Sequence, residues 1–132
     1  MPFFLPVTDP RLFRCACGRP DCDAPPPSAK LLDALEALRR VYGGPIIVTS
    51  GPRCRDWNAE QKGEPDSEHL YGDAADLACP TSAVRWNLVS AARHVGILRL
   101  GIGPSFLHVG VSDRAQHPKY VEWTYYGSPR AS

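Results

Sequence analysis

The run Ser67-Glu-His-Leu-Tyr-Gly-Asp-Ala-Ala-Asp76 sets His69 and Asp76 around a glycine and two alanines. Both side chains are zinc ligands by chemistry. A catalytic zinc takes three protein ligands and keeps a fourth position for water or substrate. Gly72 permits a sharp turn between the two, and Ala74 and Ala75 let backbone pack close. A third ligand must come from elsewhere. His108, in Phe106-Leu-His-Val-Gly-Val111, is the best placed. On a strand, Leu107 and Val109 take one face, and His108 shares the other with Phe106 and Gly110. His94 and His117 compete for the role. His94 falls late in a predicted helix, where a cation is favoured for a structural reason. On spacing alone, an ordinary hydrogen-bonded histidine is the competing reading of His108.

A second set of groups is the thiols. Cys15, Cys17 and Cys22 form C-x-C-x4-C, and Cys54 follows in a later loop. Thiolates on tight loops hold structural zinc. A disulfide of Cys15 or Cys17 with Cys54, or reduced thiols packed in the core, are the other readings. Cys79 reads as a small buried hydrophobe. Among the aromatics, Trp57 lies in a long loop beside Arg53 and is a candidate substrate contact. Glu122-Trp-Thr-Tyr-Tyr126 alternates bulky residues, so Trp123 and Tyr125 share one face and Tyr126 takes the other. This reads as a last strand packed on the core.

The elements that must position these groups follow from periodicity. Ser28 caps a helix carrying Leu31, Leu32, Leu35, Leu38 and Val41 at helical spacing, which Gly43-Gly44 stops. Ile46–Ser50 is a short β-branched strand. Residues 51–66 read as a long functional loop. A strand over Ala74–Cys79 ends at Pro80, and Thr81 caps a second helix with Val84, Leu88, Ala91, Ala92 and Val95 on one face. Strands follow near 97–102, 106–111 and 121–126. The expected fold is a small α+β domain, a mostly antiparallel sheet backed by two helices. Residues 1–27 form a Cys- and Pro-rich segment packed on a domain spanning 28–132.

The totals narrow the function. The chain has 132 residues, with 43% hydrophobic and 22% charged, an ordinary globular composition for one domain. A net charge of +1 gives no electrostatic case for nucleic acid or an anionic membrane. No apolar run is long enough to span a bilayer. The start, Met-Pro-Phe-Phe-Leu-Pro, lacks the charged region of a secretory signal. With that start, five cysteines do not imply a full disulfide framework.

The chain resembles the zinc D-Ala-D-Ala carboxypeptidase family, which includes phage L-alanyl-D-glutamate endopeptidases and the Hedgehog-domain fold. The pattern S-x-H-x-x-G-x-A-x-D is met by Ser67, His69, Gly72, Ala74 and Asp76. Upstream, S-G-x-R before an asparagine is met by Ser50-Gly51-Pro52-Arg53 and Asn58. Downstream, Gly101-Ile-Gly103 precedes His108. The likeness spans about residues 28–126 and is greatest to short phage-encoded members, which share the clustered N-terminal cysteines and a cysteine after the arginine.

The resemblance implies that His69, Asp76 and His108 bind zinc, and that Arg53 stabilises an oxyanion or the substrate carbonyl. It implies that zinc polarises the amide carbonyl and acidifies the attacking water. Ser67 supports the ligand loop or contacts substrate. The implied substrate is the peptide stem of peptidoglycan, at a D-Ala-D-Ala or similar bond. A phage protein of this kind reaches its target from the host cytoplasm by phage-mediated release, or as part of the virion beside other tail proteins.

One feature departs from the family. Members carry a carboxylate just before the third histidine or two residues after it, in H-V-D. Here residues 101–107 contain none, and the later position is Gly110. Asp113 is the first substitute for a general base, with Glu68, Glu122 and His117 behind it. Extended chain at 67–69 would turn Glu68 away from the site. With no substitute, the expected alternative is a weak or inactive zinc-stabilised protein, a structural or wall-binding part of a phage tail.

Overall fold

The computed structural model describes residues 13–125; residues 1–12 and Tyr126, which the strand reading included, lie outside them. Helix α1 spans Ala29–Tyr42. Ser28 Oγ accepts from the Leu31 amide at 3.1 Å. Gly43 closes the helix in the left-handed region (φ 77°), its amide donating to the Arg39 carbonyl. Helix α3, Ser82–His94, is capped in the same way by Thr81. Both helices lie where periodicity predicts them. A short helix α2, Arg55–Glu60, lies inside the segment expected to be loop.

Among the described residues five strands form one sheet: β1 (Val48–Ser50), β2 (Ala74–Ala78), β3 (Arg99–Ile102), β4 (Phe106–Gly110) and β5 (Val121–Thr124), in the order β1-β2-β4-β3-β5. The first three pairings are antiparallel, and β5 pairs parallel to β3 at the edge. The fold is thus α+β with a mostly antiparallel sheet, as expected. No helix among the described residues is long and apolar enough to cross a membrane.

Period-two alternation sorts the two faces. Ala75, Leu77, Leu100, Leu107 and Val109 point into a core with Leu31, Leu35 and Leu38 of α1 and Leu88, Ala91 and Ala92 of α3. Leu35 and Leu107 are fully buried, so truncating either to alanine costs about 2–5 kcal/mol. Phe13 joins the core from the N-terminal segment. The opposite face carries the polar groups. Register sets Ser50, Asp76, His108, Gly101 and Trp123 side by side in one row across all five strands.

Gly101 has a steric role in that row. A Cβ there would lie 2.7 Å from Trp123 Nε1 and 2.8 Å from Tyr125 Cε2. The glycine lets the Trp123 ring lie over β3 and reach within 5.3 Å of the His108 ring, centroid to centroid.

Candidate metal centre

Asp76 and His108 face each other because they are register partners on β2 and β4. His69 comes from a 3₁₀ turn, Glu68–Tyr71, capped by Ser67 and closed by Gly72 at φ 74°. His69 Nε2 lies 3.3 Å from Asp76 Oδ1, and His108 Nδ1 lies 3.2 Å from the same oxygen. The three ligand atoms lie within 4.8 Å of one another. His69 is wholly buried, and His108 and Asp76 nearly so.

The donor set fits a divalent metal because hydrogen bonds fix both ring tautomers. His69 Nδ1 lies 2.7 Å from the Gly51 carbonyl, which can only accept. Nδ1 therefore carries the proton, and the Nε2 lone pair faces Asp76. His108 Nε2 lies 2.7 Å from Glu68 Oε2. Burial raises the Glu68 carboxyl, but His108 and Arg99 outweigh it and hold the group below its ordinary range. Glu68 is thus an acceptor, Nε2 carries the proton, and Nδ1 turns toward Asp76. A carboxylate on the distal nitrogen of a ligating histidine is a common way of orienting a metal ligand.

Electrostatics agree. Burial opposes charge on Asp76, yet His69 and His108 hold it far below the usual carboxylate range. Burial pulls His108 down, but hydrogen bonds and charges from Asp76 and Glu68 raise it to about 9, so a metal at Nδ1 would replace the proton held there toward Asp76. Burial wins at His69, which is lowered. The cluster favours positive charge between Asp76 and the rings, and a divalent cation meets that demand.

Arg53 is buried beneath the cluster. Its Nη2 lies 3.3 Å from Asp76 Oδ2, Nη1 bonds Asn58 Oδ1 and Nε bonds Ser50 Oγ. The structure therefore sets Arg53 on the ligand carboxylate and not on the cavity wall. Burial lowers its pKa, with Asp76 opposing.

A cavity of about 600 Å³ opens over His108 and Glu68, and Trp123, Tyr125, Asp66 and His117 are among its walls. Trp123 and Tyr125, expected to pack on the core, instead line this cavity. Gly101 was the signal: a glycine mid-strand leaves room for a neighbour's ring. Trp57 sits on α2 and does not line the cavity. Ser67 Oγ accepts from the His69 amide at 3.3 Å, and the residue lines the cavity.

His117 and His94 are not brought to the cluster. His117 Nε2 lies 2.6 Å from the Asp66 carbonyl, and its Nδ1 lies 2.6 Å from Ser112 Oγ. His94 is exposed in the last turn of α3. Glu122 is exposed and pairs with Arg93.

Asp113, expected as the substitute general base, lies away from the cluster. Its exposed carboxylate pairs with Lys30 at 2.5 Å and Lys119 at 2.9 Å, which hold it down to about 2, and it does not line the cavity. Glu68 puts a carboxylate beside His108, in the place of the one expected at position 110, as a hydrogen-bond partner of the ring. The 3₁₀ turn carries Glu68 inward, so the extended-chain expectation fails. Arg99 Nε lies 3.0 Å from each Glu68 oxygen, and the Ser112 amide donates to Oε1 at 3.3 Å. A Cβ built on Gly110 would fall on that carboxylate, far inside van der Waals contact. Gly110 is empty because Glu68 fills the space.

The four remaining thiols, Cys15, Cys17, Cys22 and Cys54, form a second cluster, and Cys79 is buried in the core away from them.

Two histidines and an aspartate, with a cavity open to one ring, form a candidate three-ligand metal centre. The Peptidase M15 profile matches residues 9–112, so the chain belongs to the Peptidase M15 family. None of the curated proteins matches the chain. The matched span includes all three ligands, Arg53 and the four clustered cysteines. It ends before β5, which carries Trp123.

Proposed function

We propose that this chain is a zinc-dependent peptidase acting on peptidoglycan stem peptides, at D-Ala-D-Ala or a similar bond involving a D-residue. The observation that carries the reading is the buried His69, Asp76 and His108 cluster, with both ring tautomers fixed and a cavity open beside it. Zinc bound there would act as a Lewis acid on the amide carbonyl and acidify the attacking water.

The chain's own residues prepare that chemistry. Gly51 holds His69, Arg53 holds Asp76, and Glu68 holds His108. Arg99 lies over the Trp123 ring at 5.2 Å. Trp123 and Tyr125 offer apolar surface to small D-residue side chains, an arrangement suited to a short peptide. Glu68 is assigned no proton-transfer step, because both its oxygens are engaged by Arg99, His108 and Ser112. The likeness to short phage-encoded members supports a role in opening the host wall, as an endolysin or from within the virion.

The test is hydrolysis of purified peptidoglycan, with zinc quantified in the same sample and His69→Ala as control. Release of stem peptides that needs both zinc and His69 is expected. Bound zinc without cleavage, over several wall chemotypes, would instead support the zinc-stabilised wall-binding or tail component.

A further inference from the structure

The N-terminal segment from Phe13 to Pro27 contains turns but no strand or regular α-helix, yet it is tied firmly to the site. Phe13 packs against Gly51, where an added Cβ would meet its ring at 3.1 Å. Arg19 reaches Glu60 of α2 at 2.8 Å. Three cysteines of this segment, Cys15, Cys17 and Cys22, converge on Cys54, the residue after Arg53.

The geometry of the sulfurs is informative. All four Sγ atoms lie within 4.8 Å of one another, and Cys15 and Cys54 are 3.8 Å apart. A disulfide requires about 2.05 Å and uses sulfurs in pairs. A tetrahedral zinc with Zn–S bonds of about 2.3 Å sets its sulfurs about 3.8 Å apart along each edge. All four are free thiols. Two receive backbone donors: the Arg19 amide lies 3.4 Å from Cys17 Sγ, and the Trp57 amide lies 3.4 Å from Cys54 Sγ. Gly18, at φ 71°, makes the turn that aims the first of these. Cys54 is buried and the other three are half-buried, as in a closed structural site and unlike an open catalytic one.

We propose that Cys15, Cys17, Cys22 and Cys54 hold a second, structural zinc that clamps the N-terminal segment onto the loop carrying Gly51 and Arg53. That loop supplies the carbonyl on His69 and the guanidinium on Asp76. The thiolate centre therefore fixes the positions of groups that orient the first metal's ligands, without touching that metal. Four thiolates around one divalent ion leave two negative charges.

The experiment measures metal content and cobalt spectra on the full chain, purified under argon from a reducing cytoplasm. The wild type is expected to bind two equivalents of zinc. After cobalt exchange it should show a thiolate-to-cobalt charge-transfer band. His69→Ala should fall to one equivalent and keep the band. Cys22→Ser should fall to one equivalent and lose it. The cobalt spectrum of the wild type needs no variant to fold. A single equivalent that vanishes in His69→Ala, with no thiolate band in the wild type, would overturn the proposal. So would a disulfide between any two of the four cysteines in the freshly purified chain. Because the two variants remove different ions, failure here is distinct from failure of the peptidase reading.

Discussion

Glu68 and Gly110 should behave as one unit, because the Glu68 carboxylate occupies the volume of a residue-110 side chain. Glu68→Ala removes the partner of buried Arg99 and the orienting acceptor on His108. Removing one member of a buried ion pair costs about 3–5 kcal/mol. Losing the group that orients a ligand histidine weakens metal binding about 10–100-fold. Gly110→Asp alone overfills the site, a cost of about 1–3 kcal/mol before like-charge repulsion is added. The double variant Glu68→Ala/Gly110→Asp restores the H-V-D arrangement with a single carboxylate. Residue 110 sits beside Arg99 in register and two residues from His108, so an aspartate there can serve both. The double variant should therefore be more stable than the sum of the single losses predicts, with a coupling in the range of about 0.5–3 kcal/mol. Urea unfolding and competitive zinc titration of all four proteins measure this. Additive losses, or a Gly110→Asp protein as stable as wild type with Glu68 present, would refute the reasoning.

Arg53→Lys keeps the charge but loses the fork that joins Ser50, Asn58 and Asp76. Zinc affinity should fall about 10–100-fold while circular dichroism stays unchanged; an unchanged affinity would remove Arg53 from the support of Asp76. Trp123→Ala should raise KM for stem peptides and leave zinc content intact, because Trp123 lines the cavity and touches the His108 ring without ligating; loss of zinc would instead make it part of the metal centre. Asp113→Asn should leave turnover unchanged, and a loss of about 10²–10⁴-fold would restore it as the general base.

The candidate ligands were legible in the sequence by residue type and spacing, and the groups that support them through proximity were not. Ser28 and Thr81 announced α1 and α3, and the alternation around His108 gave its face. Helix α2 was hidden because it is six residues long and its cap is Cys54, an unusual capping residue. Glu68 was missed because a 3₁₀ turn and an extended chain point neighbouring side chains differently, and nothing local distinguishes them at Ser67–His69. Gly110 looked like a loss because its meaning depends on a residue 42 positions earlier. The period of Trp123 and Tyr125 was readable, but their face depended on β5 lying parallel beside β3, a pairing of strands not adjacent in sequence.

The sheet order separates two tasks in space. The candidate ligands Asp76 and His108 occupy β2 and β4 in the interior of the sheet, where register and packing on both sides resist change. Trp123 of the aromatic wall belongs to β5, an edge strand among the described residues, and Tyr125 directly follows it. Substitutions in β5 can reshape what the cavity accepts without moving a ligand. A lineage built on this plan can change what the cavity accepts by editing one edge strand while inheriting the His69, Asp76 and His108 cluster intact.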